Sequence, residues 1–379
     1  MSISFEKVKN WLTNSGIVIT NIKDENYGAV HSFFDQNSEK YGFLYPEITG
    51  YSVSVFSFLH QIEKNEIYTK MAKASSDWLI GIFEKFGGIV QGLDNENDSR
   101  KQLAYSFDTA ICAKGLLDCF NLTQEQKYLN YSKKLVQWLQ RAITNEGTLL
   151  PYMKLQSNEF EESEEVWYKK WGCLHIKTSI PFVQLYQITN DKSYLESALK
   201  ICNTYYRFQN KDGSFLLHEN TQTINLHTMS YALEGLLYVF NITKNYEYMQ
   251  SIEKALDWCT NQIREDGSIS LWFNSKYKSK AVYPIAQLIR LMLLIDKFHN
   301  NNKFLNSILE LHSFMVSLQA NDNNPKVNGG FYEEYYKTIF GWKKREKLNS
   351  WGSLFALQAL YWFDNYEKIH FDEAISSIY

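Results

Sequence analysis

Proline is scarce in this chain, five residues in 379, and glycine is limited to 18. With so few helix breakers, the composition fits long helices joined by short, punctuated loops. Cysteine is scarce as well. Cys112, Cys119, Cys173, Cys202 and Cys259 are odd in number and show no CxxC spacing. That excludes a regular disulfide framework and a paired-cysteine metal site, and it predicts free, mostly buried thiols in a reducing compartment. Excess positive charge is missing too. The formal charge is -3, which argues against nucleic acid as the main partner. No stretch of 18 apolar residues occurs, so no membrane span is expected. The start, Met-Ser-Ile-Ser-Phe-Glu-Lys-Val-Lys, carries no apolar run of signal-peptide length, and a cytoplasmic protein is expected.

What the chain has in quantity is aromatic side chains: 26 Tyr, 24 Phe and 10 Trp. These fill cores, and they also line clefts that bind sugar rings. Several recur with a period. Tyr68, Tyr128, Tyr194, Tyr248 and Phe304 stand ten residues before Trp78, Trp138, Thr204, Trp258 and Phe314. Nine or ten residues further on comes Gly88, Gly147, Gly213 or Gly267, and in the last repeat Gly330 after an insertion. Phe33 and Gly42 give the first repeat the same form. After each glycine follows an apolar run, at 48–60, 105–119, 175–186, 227–240, 283–294 and 351–363. These runs are apolar on more than one face, as buried inner helices are. The runs before the glycines are one-sided and charged, as outer helices are. Six hairpins of outer helix, glycine turn and inner helix predict an all-α single domain over 1–379, a closed ring with parallel inner helices.

The segments that carry this pattern resemble the six-hairpin glycosidase superfamily, the (α/α)6 toroid. Tyr45-Pro46-Glu47-Ile48-Thr49-Gly50-Tyr51 is similar to the first-hairpin motif of toroid proteins linked to surface-polysaccharide metabolism. The stretch Asn190-Asp191-Lys192-Ser193-Tyr194-Leu195, with Gln209-Asn210-Lys211-Asp212-Gly213-Ser214-Phe215, looks like that group's recurring hairpin. His227-Thr228-Met229-Ser230-Tyr231-Ala232-Leu233-Glu234-Gly235-Leu236 is similar to its central inner helix. The resemblance implies carbohydrate chemistry, by hydrolysis, lyase action or epimerisation. Residues 209–215 also resemble a motif of triterpene cyclases. A terpenoid-type cyclase ranks last, because its Asp-x-Asp-Asp proton donor is missing. The run Asp94-Asn95-Glu96-Asn97-Asp98 is a poor substitute.

Parallel inner helices open their N-termini at one end, where free N–H groups and the helix dipole favour an anionic ligand. The residues at those starts are polar and aromatic: Glu47 and Tyr51; Tyr105 and Asp108; Trp171, His175 and Lys177; Asn225, His227 and Tyr231; Tyr283, Gln287 and Arg290; Asn349 and Trp351, with Glu333 and Glu334 on a preceding loop. Each has a bland alternative. Glu47 suits a helix first turn, Asp108 an N-cap, and either histidine a packed core. The Glu159 to Glu165 run and Lys343-Lys344-Arg345 read as solvated surface, the latter able to steer an anionic glycan. Cys173-Leu174-His175 lacks the further ligands a zinc ion needs. Glu47, Asp108, His175, His227, Tyr283 and Trp351 are expected to line one cleft.

Glycosidic hydrolysis needs two carboxyl groups, and Glu47 with Asp108, on adjacent hairpins, is the best pair; Glu333 is the reserve. Tyr51, Tyr105, Trp171, Tyr283 and Trp351 would stack sugar rings, and Lys177 would hold a uronate. The expectation is a glycoside hydrolase of inverting geometry acting on an acidic glycan, with no cofactor and no metal. A uronate lyase or sugar epimerase would instead lead with His175, His227 and Tyr231. A non-catalytic glycan-binding toroid would keep the aromatics and lose the acid pair.

Overall fold

The computed structural model describes residues 1–93, 98–163 and 165–379. Positions 94–97 of the acidic run above, and Glu164, lie outside the described residues. Among the described residues, six outer helices alternate with six inner ones. The outer set is α1 (Ile3–Asn14), α3 (Glu66–Phe86), α5 (Gln126–Ala142), α7 (Lys192–Tyr206), α9 (Tyr246–Thr260) and α11 (Leu305–Ser317). The inner set is α2 (Pro46–Glu63), α4 (Ser106–Thr123), α6 (Ser179–Thr189), α8 (Leu226–Thr243), α10 (Val282–His299) and α12 (Ser350–Asp364), and a short α13 (Phe371–Ser376) follows. All five cysteines are free and buried. No helix among the described residues is long and apolar enough to cross a membrane.

The joints are short because each has a dedicated backbone residue. Lys64, Gln124, Asn190 and Lys244 end their inner helices in the left-handed region, and the next residue already begins the cap of the following outer helix. Asn65, Asp191 and Asn245 cap with their side chains. The other joint uses the periodic glycines. Gly147, Gly213 and Gly267 have φ of +91°, +100° and +74°. A Cβ on Gly213 would lie 2.3 Å from the Lys254 carbonyl oxygen of the next outer helix, and one on Gly267 equally close to that of Glu310. The glycine is therefore required by the approach of the next hairpin as well as by its own turn.

Three expectations need correction. In the second and last hairpins the left-handed glycine is Gly87 or Gly329, one residue before Gly88 or Gly330. In the first hairpin it is Gly28, packed on Ala74, while Phe33 lies in a strand, Phe33–Asp35. The third inner run does not begin as an α-helix: Cys173–Thr178 is a 3₁₀ turn that leads into α6. Pro181 explains this. It fits the first turn of α6 but would remove a hydrogen bond and clash inside a helix begun at His175.

The chain divides into two compact units. The first comprises Val18–Ser32, Phe43–Arg207 and Tyr379; the second comprises Met1–Ile17, Phe33–Gly42 and Phe208–Ile378. Inner helices α2, α4 and α6 belong to the first, and α8, α10 and α12 to the second.

Candidate active site

In the first unit, α2 and α4 meet at glycine. A Cβ on Gly115 would stand 2.6 Å from the Gly50 carbonyl oxygen, and one on Gly50 3.1 Å from the Cys112 backbone. Gly50 is three residues after Glu47 and Cys112 four after Asp108, so each acid shares a helix face with the crossing point. The Cys112 thiol also donates to the Pro46 carbonyl at 3.4 Å. Close backbone approach thus brings the two carboxyl groups within electrostatic reach of each other.

Both acids are buried, Glu47 at 7% exposure and Asp108 at 6%. Glu47 occupies the second position of α2, after Pro46. Asp108 is the third residue of α4, with Tyr105 at the cap position, so it is not the N-cap. Burial pushes the Glu47 carboxyl up to about 7, against a hydrogen bond from Tyr45 and the charge of Lys177, which both favour its anion. Asp108 is raised further, first by burial and then by Glu47. Among the described residues no hydrogen-bond donor reaches Asp108 Oδ2. Neither Tyr45 nor Tyr105 caps its helix with a side chain; α2 begins at Pro46, which has no N–H to offer, and at the start of α4 the Ser106 N–H donates to the Pro151 carbonyl at 2.9 Å.

Lys177 comes from the 3₁₀ turn, is almost wholly buried, and sets its ammonium 5.0 Å from the Tyr51 ring centre. Tyr51 is fully buried, so it supports Lys177 from below instead of presenting a ring at a rim. His175 is buried as well. Its Nδ1 lies 3.1 Å from the Gly172 nitrogen and 3.2 Å from the Gly172 carbonyl oxygen, and its ring stacks on Tyr205 at 5.7 Å. Burial lowers its pKa to about 4, leaving a neutral ring that braces the turn carrying Lys177. Trp171 is partly exposed, between Tyr205 at 6.0 Å and the Arg207 guanidinium at 5.7 Å.

Beside the start of α4 lies a cavity of about 470 Å³, lined by Tyr105, Tyr152, Tyr168, Lys154, Lys169 and Glu161 among others. The Tyr105 ring centre is 6.1 Å from that of Tyr152 and 6.2 Å from that of Tyr168. Tyr105 also senses the charge of Asp108, which ties the cavity to the acid pair. The acidic run is therefore more than solvated loop. Glu159–Glu161 is a strand paired with Tyr152–Lys154, Glu161 meets Lys154 at 2.7 Å, and Glu165 meets Lys169 at 2.9 Å. Tyr152 and Tyr168 sit within the third hairpin, in the long stretch between its glycine turn and α6, where no periodicity marks them.

The second unit gathers a different set. His227, the second residue of α8, is partly buried, with Tyr231 at 4.1 Å and Tyr283 at 4.5 Å between ring centres. Trp351, the second residue of α12, stands 5.9 Å from Tyr283. Asn225 and Asn349 cap these helices with their side chains. Gln287 is fully buried and bonded to His227 and Glu234, so its work is internal. Glu333 and Glu334 are not on a solvated loop: the strand Glu334–Thr338 begins there, and Glu334 is buried. Arg345 grips Glu334 at 2.8 Å and is only partly exposed, in contrast to exposed Lys343. Burial and the neighbouring Glu334 push Glu333 up to about 7.

No protein-family model and no curated protein matches the sequence. Solved structures do match. Cellobiose 2-epimerase from Bacillus thermoamylovorans aligns over 97% of this chain and 100% of its own, at TM-score 0.74 and 14% identity. D-mannose isomerase aligns over 95% and 97%, at 0.71 and 11%. An unsaturated glucuronyl hydrolase from Bacillus sp. GL1, described as responsible for glycosaminoglycan degradation, aligns over 94% and 97%, at 0.69 and 11%. At these identities the likeness establishes the fold alone, an (α/α)6 toroid.

Proposed function

We propose that this protein is a carbohydrate-active enzyme, a glycoside hydrolase acting on a uronate-containing oligosaccharide or polysaccharide. The observation that carries this is the buried pair Glu47 and Asp108, both raised by burial, with Glu47 raising Asp108 as well. Two acids that cannot ionise together divide the labour. Asp108, raised by burial and by the charge of Glu47, keeps a proton and donates it to the glycosidic oxygen. Glu47, with Lys177 favouring its anion, takes a proton from the attacking water. The Lys177 charge suits an acidic sugar. The tyrosine-lined cavity on the Asp108 side suits the ring of its neighbour.

The test is to assay Glu47→Gln and Asp108→Asn separately on a panel of uronate-containing oligosaccharides. Each is expected to lose roughly 10²–10⁴-fold in turnover, the usual weight of a general acid or base. NMR of the fresh product should show the inverted anomer. If both variants keep wild-type turnover while His175→Ala or His227→Ala abolishes it, lyase or epimerase chemistry replaces hydrolysis.

A further inference from the structure

In the second unit, Glu234 and Arg290 are fully buried and joined at 2.5 Å. Such a pair is a weak device for stability, since desolvation consumes most of the attraction, so its partners are worth following. Arg290 Nη1 donates to Gln358 Oε1 at 2.8 Å, and Gln358 Nε2 donates to the Ser377 carbonyl at 2.8 Å. On the other side, Gln287 Nε2 donates to Glu234 Oε2 at 3.1 Å. Gln287 Oε1 lies 2.5 Å from His227 Nδ1.

This chain has one direction. Glu234, joined to a guanidinium, is a carboxylate and can only accept. The Gln287 end that faces it must therefore be the NH₂. The opposite end is the carbonyl oxygen, which also can only accept. His227 Nδ1 must then carry a hydrogen, and in the neutral ring Nε2 holds the lone pair. The amide orientation follows from chemistry and not from a choice between two similar atoms.

We propose that His227 is a proton acceptor at Nε2, with its tautomer set from the core by Gln287, and with Glu234 and Arg290 as positioning residues. Tyr231 and Tyr283 flank the ring and hold its plane. The arrangement does not depend on the hydrolase proposal. It concerns different residues and would persist if Glu47 and Asp108 proved inert.

The experiment is a long-range ¹H–¹⁵N correlation on uniformly ¹⁵N-labelled full-length protein, without substrate, at a pH where the His227 ring is neutral. His227→Gln identifies its signals among those of the eight histidines. Wild type is expected to show His227 protonated at Nδ1 alone. A wild-type ring protonated at Nε2 overturns the proposal. Gln287→Met keeps the length but removes the amide that bonds His227 and Glu234, and it should return His227 to a mixture of tautomers while near-ultraviolet circular dichroism stays native. Retention of the pure Nδ1–H form in a natively folded Gln287→Met protein would overturn the positioning role. Should Gln287→Met fail to fold, the wild-type spectrum still decides the tautomer, and Glu234→Gln, which allows the Gln287 amide to turn over, decides the positioning.

Discussion

The two units bury acids in the same kind of place and treat them in opposite ways. In the first, Glu47 and Asp108 lie on two helices that cross at a glycine contact, burial raises both, and the charge of Glu47 makes Asp108 harder to ionise. In the second, Glu234 is equally buried but meets a guanidinium at 2.5 Å. The adjacent pair in the second unit repeats the lesson on a smaller scale. Arg345 grips Glu334 with Nε and Nη2 and reaches Glu333 only at 3.5 Å, and burial with the neighbouring Glu334 still raises Glu333 to about 7. Burial alone therefore does not mark an active acid. A buried carboxylate with a dedicated cation is held in one charge state, whereas a carboxyl pushed up by burial and by a second carboxyl is poised to exchange a proton.

The largest effect should come from breaking the paired side of this contrast. Arg290→Met leaves Glu234 buried beside an apolar chain and is expected to cost about 3–5 kcal/mol in urea unfolding. The double variant Arg290→Met with Glu234→Met should recover much of that loss, because the isolated charge goes with its partner. A single variant as stable as wild type would mean that Glu234 is not held by Arg290, and the contrast would collapse.

The poised side should show itself as pH dependence. Glu47 rises from an ordinary 4.5 to about 7 on folding. Between those values the folded protein holds a proton that the unfolded chain has released. Stability contributed by this group is thus full below pH 4.5 and is lost as pH rises through 7. Asp108, also raised, acts with the same sign. The loss is about 3 kcal/mol for a shift of this size, spread over two coupled steps. Glu47→Gln should flatten the slope and be more stable than wild type at pH 8 while losing turnover. Urea midpoints at pH 5 and pH 8 measure this, and a wild-type slope of the opposite sign would show that Glu47 is held ionised.

Much of this fold was legible in the chain because it repeats. Gly147, Gly213 and Gly267 sit where periodicity placed them, since each serves both a left-handed turn and a contact with the next hairpin. The one-residue differences at Gly88 and Gly330 fall where two glycines adjoin; a strict nine-residue spacing points to Gly87, whereas the insertion in the last hairpin removes that guide for Gly329. The polar residues at the helix starts were also visible, because charge inside an apolar run is conspicuous. Their partners were not. That Tyr51 lies beneath Lys177, that His175 braces its own turn, and that Gln287 links His227 to Glu234 all depend on contacts between hairpins. No pattern within one hairpin encodes these. Gly50 and Gly115, which set the distance between the two acids, read in sequence only as small residues in apolar helices.

The smallest predicted effect sharpens what the first unit binds beyond its acids. Tyr168 forms one wall of the cavity beside α4, 6.2 Å from Tyr105, and is 37% exposed. It touches neither carboxyl in the arrangement described, and no shift of Glu47 or Asp108 is traced to it. If a sugar ring rests there, Tyr168→Ala removes ring contact without altering proton transfer. Stacking of this kind is worth about 0.5–1.5 kcal/mol. The expected outcome on a uronate-containing oligosaccharide is KM raised roughly 3–10-fold with kcat nearly unchanged, the mark of lost uniform binding. A fall in kcat at unchanged KM would instead tie Tyr168 to the chemistry through Tyr105. No change in either constant would place the sugar elsewhere in the first unit, leaving the acid pair without this cavity as its neighbour.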